Sequence, residues 1–252
     1  ITCRDWSSDV CSSDLGKAIR GMARRPFIAT KGGRAGDATS LVGNLSADFI
    51  RRDCENSLRR LGIDCIDLYQ NHRPQPDEQI EEGWGAVAEL VRAGHVRHAG
   101  VSNFSAAQMD RIQPIHPIAS LQPPYSMLCR DIEADILPYC LARDIGVICY
   151  SPMYKGLLTG RFSAGRVAQL PETDHRRRDP RFQSPRLENT LGMVDELSAV
   201  AAKHGRTMAE LAIAWTFRGP AVTAAIVGLR HPDQVDVVAA ADWDLDAGCV
   251  AE

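Results

Sequence analysis

From residue 27 onward, short β-like runs alternate with helical segments, and this alternation is the strongest constraint on the fold. Six runs are apolar for most of their length, at 27–31, 66–72, 96–103, 118–126, 146–153 and 224–230. Helical patterns lie between and after them, at 46–61, 77–93, 105–112, 132–144, 187–203, 207–218 and 232–241. Strands separated by helices in this way predict βαβ units and a parallel sheet that is covered on both faces.

Polar residues collect at the carboxyl ends of these runs. They occur in "ATKGGR", "YQNHRP", "GVSNF", "LQPPYS", "CYSPM" and "VGLRHP". Polar groups at the carboxyl ends of successive strands are typical of the active site of a (β/α)8 barrel. The competing doubly wound sheet normally carries G-x-G-x-x-G after its first strand, and the sequence has no such motif there. The sequence therefore predicts an α/β fold of the (β/α)8 TIM-barrel class.

The strand count and the first residues depart from this pattern. About six of the eight strands that a barrel needs are present in the sequence. Residues 1–15 are rich in Ser and Asp, with no apolar alternation that would predict a strand. We therefore predict that residues 1–15 are a disordered, non-native leader and that residues 16–252 form an incomplete barrel domain.

Composition excludes several functional classes. The chain has 29 basic and 32 acidic residues, so its net charge of −3 argues against an electrostatic nucleic-acid binder. We find no apolar run of about 18 residues and no signal peptide, which argues against a membrane protein and against secretion. The eight cysteines contain no C-x-x-C pair or metal-ligand spacing and are interpreted as free thiols, which predicts a cytoplasmic location.

Residues 161–186 are predicted to form a long loop with seven arginines and three prolines. One interpretation is a solvated, mobile surface loop. The other is a basic flap over an anionic cofactor, and the sequence leaves both open. A nucleic-acid patch is disfavoured, because Phe162 and Phe182 are the only aromatic residues among the arginines.

Six motifs resemble those of the aldo-keto reductase family, in the family's order and at comparable spacing, over about residues 16–247. They are "FIATKGG", "IDLYQNHRP", "GVSNF", "LQPPYS", "YSPMYKGLLTGRF" and "IVGLRHPDQV". The resemblance implies a (β/α)8 barrel and NADPH-dependent reduction of aldehydes or ketones to alcohols, with small carbonyl compounds as substrates and without a metal.

The resemblance also implies two catalytic residues. The family uses an Asp, a Tyr, a Lys and a His, with the Tyr donating a proton to the substrate oxygen. Lys31 in "FIATK" matches the Lys, whose ammonium lowers the pKa of the Tyr. His72 in "YQNHRP" matches the His that orients the substrate carbonyl.

Cofactor-binding residues follow from the same motifs. Ser102, Asn103 and Gln122 match the groups that hydrogen-bond the nicotinamide carboxamide. Tyr150 matches the aromatic residue that stacks on the nicotinamide ring. Four residues match positions that border the pyrophosphate, namely Ser151, Met153, Gly156 and Leu157. Three match positions that border the adenosine, namely Gly228, Arg230 and Gln234. Arg230 favours NADPH over NADH, because its guanidinium suits a 2′-phosphate.

Two departures from the family pattern are expected to matter. Val237 and Val238 stand where the family usually has a Glu-Asn pair that contacts the adenine. The family's Asp and Tyr have no counterpart, and "RDWSSDVCSSDL" resembles translated sequencing-adapter sequence. We therefore expect carbonyl reduction by this chain to be impaired. The alternative function is a non-catalytic nucleotide-binding or regulatory barrel, although Lys31 and His72 favour an enzyme.

Overall fold

A computed structural model describes residues 8–36, 41–229 and 231–245 of the chain. The chain divides into two compact units. The first unit comprises residues 1–123 and 132–148, and the second comprises residues 124–131 and 149–252. The predicted alternation of strands and helices is present in both.

Parallel strands form the centre of the first unit. Strand β1 (Ala29–Gly32) is followed by a small antiparallel pair, β2 (Arg34–Ala35) and β3 (Val42–Gly43). The remaining strands are β4 (Ile66–Asn71), β5 (Val96–Ser102), β6 (Ser120–Gln122) and β7 (Gly146–Tyr150), of which residues 146–148 belong to this unit. They pair in the parallel order β1-β4-β5-β6-β7.

The helices of the first unit are α1 (Ser8–Ile19), α2 (Ala47–Leu61), α3 (Ile80–Arg92), α4 (Ala106–Ile112) and α5 (Ile136–Ala142). Helices α2 and α3 bury one apolar face each, with Ile50 and Trp84 fully inaccessible to solvent. Gly62 ends α2 in the left-handed region, at φ 68°, where a residue without a Cβ has the least strain.

Helix α1 differs from the sequence prediction of disorder over residues 1–15, because residues 8–15 are helical. Residues 1–7 of the predicted leader lie outside the described residues. Gly16 is buried, and a Cβ at this position would lie 2.5 Å from the carbonyl oxygen of Arg60 at the end of α2. Ile19 is also buried. The polar composition of this segment did not indicate a helix. This helix depends on close packing against α2, and such packing is a tertiary contact that local propensity does not reveal.

The second unit contains the end of β7 and the elements α6 (Ala164–Ala168), α7 (Arg186–Lys203), α8 (Met208–Trp215), β8 (Val222–Ile226) and α9 (Gln234–Ala239). Its apolar core includes Leu157, Leu158, Phe182, Val194 and Leu211. In the strand order β8 follows β7, whose residues Cys149 and Tyr150 belong to this unit.

The arginine-rich segment 161–186 has more structure than a solvated loop. It contains α6 and two short 3₁₀ helices, His175–Arg178 and Pro180–Phe182. Arg176 is 8% exposed and donates two hydrogen bonds to Asp174, at 2.9 and 2.6 Å. Part of this positive charge is therefore neutralised within the segment.

The strands begin and end at different residues from those predicted. Strand β6 ends at Gln122, because Pro123 and Pro124 have no N–H to donate to a neighbouring strand. Strand β8 covers Val222–Ile226 rather than 224–230, so Gly228 lies beyond its end. No helix in the described ranges is long and apolar enough to cross a membrane.

Candidate active site

The first unit gathers five of the predicted site residues at the carboxyl ends of adjacent strands. Lys31 lies on β1, Ser102 ends β5 and Gln122 ends β6, while His72 and Asn103 directly follow β4 and β5. Lys31 pairs in register with Gln70, and Ser102 pairs with Gln122. Because strand side chains alternate between faces, Lys31, His72, Ser102 and Gln122 lie on one face of the sheet.

Lys31 is a largely buried cation with no anionic partner nearby in the described residues. Its ammonium makes no ion pair or hydrogen bond with any described group. Burial lowers the pKa of Lys31 from 10.5 to about 8, since removal from water disfavours the charged form. A lysine with this pKa exchanges its proton close to physiological pH, which is typical of functional sites.

His72 is neutral at physiological pH. Burial, followed by the positive charges of Lys31, Arg34 and Arg73, lowers the pKa of His72 to about 3. Its backbone N–H donates to Gly32 at 2.9 Å, which fixes the residue at the end of the strand. A neutral imidazole retains one N–H, so His72 can donate a hydrogen bond without carrying a charge.

Hydrogen bonds connect the residues that match the carboxamide-binding positions. Ser102 Oγ donates to the Gln122 carbonyl at 2.8 Å, and Asn103 Nδ2 donates to Ser102 Oγ at 2.9 Å. Asn103 Nδ2 also donates to the His72 carbonyl at 3.1 Å. Asn103 has φ 64°, a left-handed conformation that Asn tolerates better than most residues. These contacts join the ends of β4, β5 and β6 into one hydrogen-bonded cluster.

Three residues beneath this cluster lie outside the positions predicted from the sequence. Gln70, Gly100 and Ser120 pair in register across β4, β5 and β6, on the same face as Lys31. Gln70 is 1% exposed and contacts Ser120 and Gln122 through its amide. The period of two along a strand could have identified Gln70, because Gln70 lies two residues before His72 and therefore faces the same side of the sheet.

A tyrosine–carboxylate pair close to Lys31 lies on the opposite face of the sheet. The Tyr69 hydroxyl is 3.5 Å from Oδ2 of Asp53, and a Cβ on Gly32 would overlap that hydroxyl. Since Gly32 and Lys31 are consecutive strand residues, their side-chain directions are opposed. Tyr69 is fully buried and its pKa is raised well above the ordinary value, mainly by burial. This pair therefore does not replace a proton donor beside Lys31.

The second unit places Tyr150, Ser151, Met153, Gly156 and Leu157 on the end of β7 and the loop after it. This loop is conformationally unusual, with φ 59° at Ser151 and 101° at Gly156. The Gly156 N–H donates to the Met153 carbonyl at 3.0 Å. The side chain of Leu157 is fully buried in the apolar core, so only its backbone is available to a ligand.

The last three predicted residues follow β8. Gly228 is exposed. Gln234 is the first residue of α9, and its Oε1 accepts a hydrogen bond from the His231 N–H at 3.2 Å. Arg230 lies outside the described residues. Across the described ranges, no three His, Cys, Asp or Glu side chains are placed to hold a metal ion.

These features define a parallel α/β protein whose titratable and amide groups meet at the carboxyl ends of its strands. The sequence model of the Aldo/keto reductase family matches residues 13–248, so the chain belongs to this family of oxidoreductases. The family prediction is therefore confirmed.

Two relatives and one solved structure illustrate the similarity of the chain to known proteins. Aldo-keto reductase YhdN of Bacillus subtilis is 35% identical over 237 residues, covering 92% of this chain and 71% of the relative. Aldo-keto reductase str7 of Strobilurus tenacellus is 36% identical over 228 residues, covering 86% of this chain and 66% of the relative. The glycerol dehydrogenase AKR11B4 from Gluconobacter oxydans superposes with a TM-score of 0.89 at 34% identity, covering 95% of this chain and 74% of that structure.

The structural similarity confirms the predicted fold class, an α/β fold of the (β/α)8 aldo-keto reductase type. The chain spans about two thirds to three quarters of the lengths of these relatives.

Proposed function

We propose that this protein reduces small aldehydes or ketones to alcohols with NADPH. The observation that carries the proposal is the pair Lys31 and His72, two partly buried titratable groups on one sheet face. Neither has a compensating carboxylate among the described groups. Such an arrangement costs stability, and active sites are where proteins retain it.

The two residues have complementary roles in this proposal. His72, being neutral, donates a hydrogen bond to the substrate carbonyl oxygen and orients it. The Lys31 ammonium stabilises the negative charge that develops on that oxygen, and water would supply the proton that completes the alcohol. When NADPH is bound, its nicotinamide supplies the hydride. Because the pKa of Lys31 is about 8, the ammonium is present at physiological pH.

The residues that would hold NADPH fit a carboxamide and a phosphate. Oε1 of Gln122 accepts no hydrogen bond from the described residues, which leaves an acceptor for a carboxamide NH₂ group. Ser102 and Asn103 border it, and Tyr150 would stack on the ring. Ser151, Met153, Gly156 and Leu157 would border the pyrophosphate, and Gly228, Arg230 and Gln234 the adenosine end.

Turnover is expected to be slow, because neither tyrosine hydroxyl of the first unit lies beside Lys31. Tyr69 lies on the opposite sheet face from Lys31, as described above. Tyr139 on α5 donates a 2.7 Å hydrogen bond to Asp110 at the exposed surface. Neither hydroxyl can protonate a carbonyl beside Lys31. General acid catalysis contributes about 10²–10⁴-fold, so its loss would leave a weak reductase.

The experiment measures NADPH binding by fluorescence and NADPH oxidation with 4-nitrobenzaldehyde. A second chain, with residues 1–15 replaced by the corresponding segment of the Bacillus subtilis relative, is the matched comparison. We expect both chains to bind NADPH and only the second to turn over at a high rate. Comparable turnover by the two chains would contradict the proposed impairment, and no binding by either would contradict the proposed function.

Cofactor choice is tested with Arg230→Ala, which should weaken NADPH binding about tenfold to a hundredfold and NADH binding much less. Arg52→Ala, an exposed arginine on α2, is the matched control and should leave both affinities unchanged. An equal loss for both cofactors would argue against the role of Arg230.

The second candidate function is a non-catalytic nucleotide-binding or regulatory barrel. It predicts tight NADPH binding with no turnover in either chain, and no effect of Lys31 substitution on any reaction. We also propose a cytoplasmic location, because the five cysteines whose side chains are described are free thiols.

A further inference from the structure

A chain of buried amides runs beneath the proposed nicotinamide site. Gln70 Nε2 donates to Ser120 Oγ at 3.2 Å and to the Val101 carbonyl at 3.4 Å. Gln122 Nε2 in turn donates to Gln70 Oε1 at 2.9 Å. Both glutamines are buried, at 1% and 4% exposure.

The Val101 carbonyl determines the direction of this chain. A backbone carbonyl can only accept, so the Gln70 NH₂ group must face it and Gln70 Oε1 must face Gln122. Gln122 then has to present its NH₂ group to Gln70, which leaves its own Oε1 pointing away. Reversal of Gln122 would bring two amide oxygens together without a hydrogen between them.

Gly100 leaves the space that this chain needs. It lies in register between Gln70 and Ser120 on the adjacent strands. A Cβ at Gly100 would lie 2.5 Å from Ser120 Oγ and 3.1 Å from Gln70 Cγ. A side chain here would therefore separate Gln70 from Ser120.

We propose that Gln70 is a positioning residue for cofactor recognition, acting through Gln122 rather than on the cofactor itself. It holds the Gln122 amide so that Oε1 accepts a hydrogen bond from the carboxamide NH₂ group of the nicotinamide. This inference rests on the proposed function, because it assigns a role within the NADPH site.

The test compares the affinities of NADPH and its 3-acetylpyridine analogue, in which a methyl group replaces the carboxamide NH₂. The unaltered chain should favour NADPH by about two- to tenfold, the usual contribution of one hydrogen bond. In Gln70→Met the Gln122 amide is free to present either end, so this preference should fall toward one.

Asn71→Leu is the matched control. Asn71 is also a buried amide, it is adjacent in β4, and strand alternation places it on the other face. Its Nδ2 and Oδ1 have no hydrogen-bond partner in the described part of the chain. The control should keep the preference for NADPH, and Gln70→Leu serves as a second variant at the test position.

The outcomes separate this inference from the proposed function. Failure of the unaltered chain to bind NADPH would overturn the proposed function and this inference with it. Binding of NADPH with no preference over the acetylpyridine analogue would overturn the inference alone, even if the variants do not fold. A preference that persists in folded Gln70→Met or Gln70→Leu would also overturn it.

Discussion

The two ends of strand β4 in the first unit bury titratable groups in opposite ways. At the amino end, Asp67 accepts hydrogen bonds from Arg25 Nη2 at 3.1 Å and the Ile28 N–H at 2.8 Å, and Arg97 Nη1 lies 2.9 Å away. At the carboxyl end, His72 and Lys31 of the neighbouring β1 are partly buried beside each other without a carboxylate among the described residues.

The pKa directions reflect this difference. The hydrogen bond from Arg25 is the main cause of the lowered pKa of Asp67, so its charged form is favoured. Burial is the main cause of the lowered pKa values of Lys31 and His72, so their charged forms are disfavoured. The amino end therefore contributes stability, whereas the carboxyl end carries a cost in stability that the proposed catalytic role of Lys31 and His72 would explain.

The largest effect that tests this contrast is expected for Lys31→Met. Turnover should fall about 10²–10³-fold, because a preorganised charge is lost. The free energy of unfolding at pH 7 should nevertheless rise by about 3 kcal/mol, since the pKa shift from 10.5 to about 8 corresponds to that desolvation cost. Chemical denaturation and steady-state kinetics measure the two effects.

The lowered pKa of Lys31 also predicts how stability and turnover change with pH. Between pH 8 and 10.5 the unfolded chain binds the Lys31 proton and the folded chain does not, so stability from this group should rise with pH. Turnover should decline over the same range as the ammonium is lost. Lys17→Met, at an exposed lysine, is the control and should change neither quantity. A lower free energy of unfolding for Lys31→Met than for the unaltered chain at pH 7 would contradict the difference drawn between the two ends of β4.

The second prediction concerns the amino end. Asp67→Asn should lower the free energy of unfolding by about 2 kcal/mol, because charged hydrogen bonds are lost. The loss should stay moderate because Arg25 and Arg97 are 31% and 58% exposed and can be rehydrated. NADPH affinity should not change. Asp64→Asn, at an exposed aspartate before β4, is the control. An equal loss of stability in Asp64→Asn would contradict the stabilising role assigned to the hydrogen bonds of Asp67.

The last effect, no larger than that of Asp67→Asn, is expected on the acid side. The pKa of His72 is about 3 in the folded chain and near 6.5 when unfolded, so its contribution to stability falls as the pH drops below 6.5. At pH 5 this loss amounts to about 2 kcal/mol relative to pH 7. His72→Gln should remove it, whereas His98→Gln, at an exposed histidine, should not. Identical pH profiles for the unaltered chain and His72→Gln would contradict the buried neutral state.

Much of the fold was predictable because its signals are local. Apolar runs separated by helical periods predict parallel strands, and six of the predicted strands are present. Elements that depend on distant contacts were missed. Helix α1 needs the surface of α2 against Gly16, which lies more than 40 residues from Arg60 along the chain. That requirement is not visible in the composition of the α1 segment itself.

The amino-acid sequence by itself determined the order of strands and helices, the family, and the positions of Lys31 and His72 at strand ends. Tertiary structure decided what surrounds those positions. The pKa values follow from burial and from the charges that neighbouring strands bring close. The direction of the Gln122 amide follows from Gln70 and the Val101 carbonyl, which lie 52 and 21 residues away along the chain. Local sequence patterns predict where strands and helices lie along the chain, whereas pKa values and hydrogen bonds depend on groups that only folding brings together.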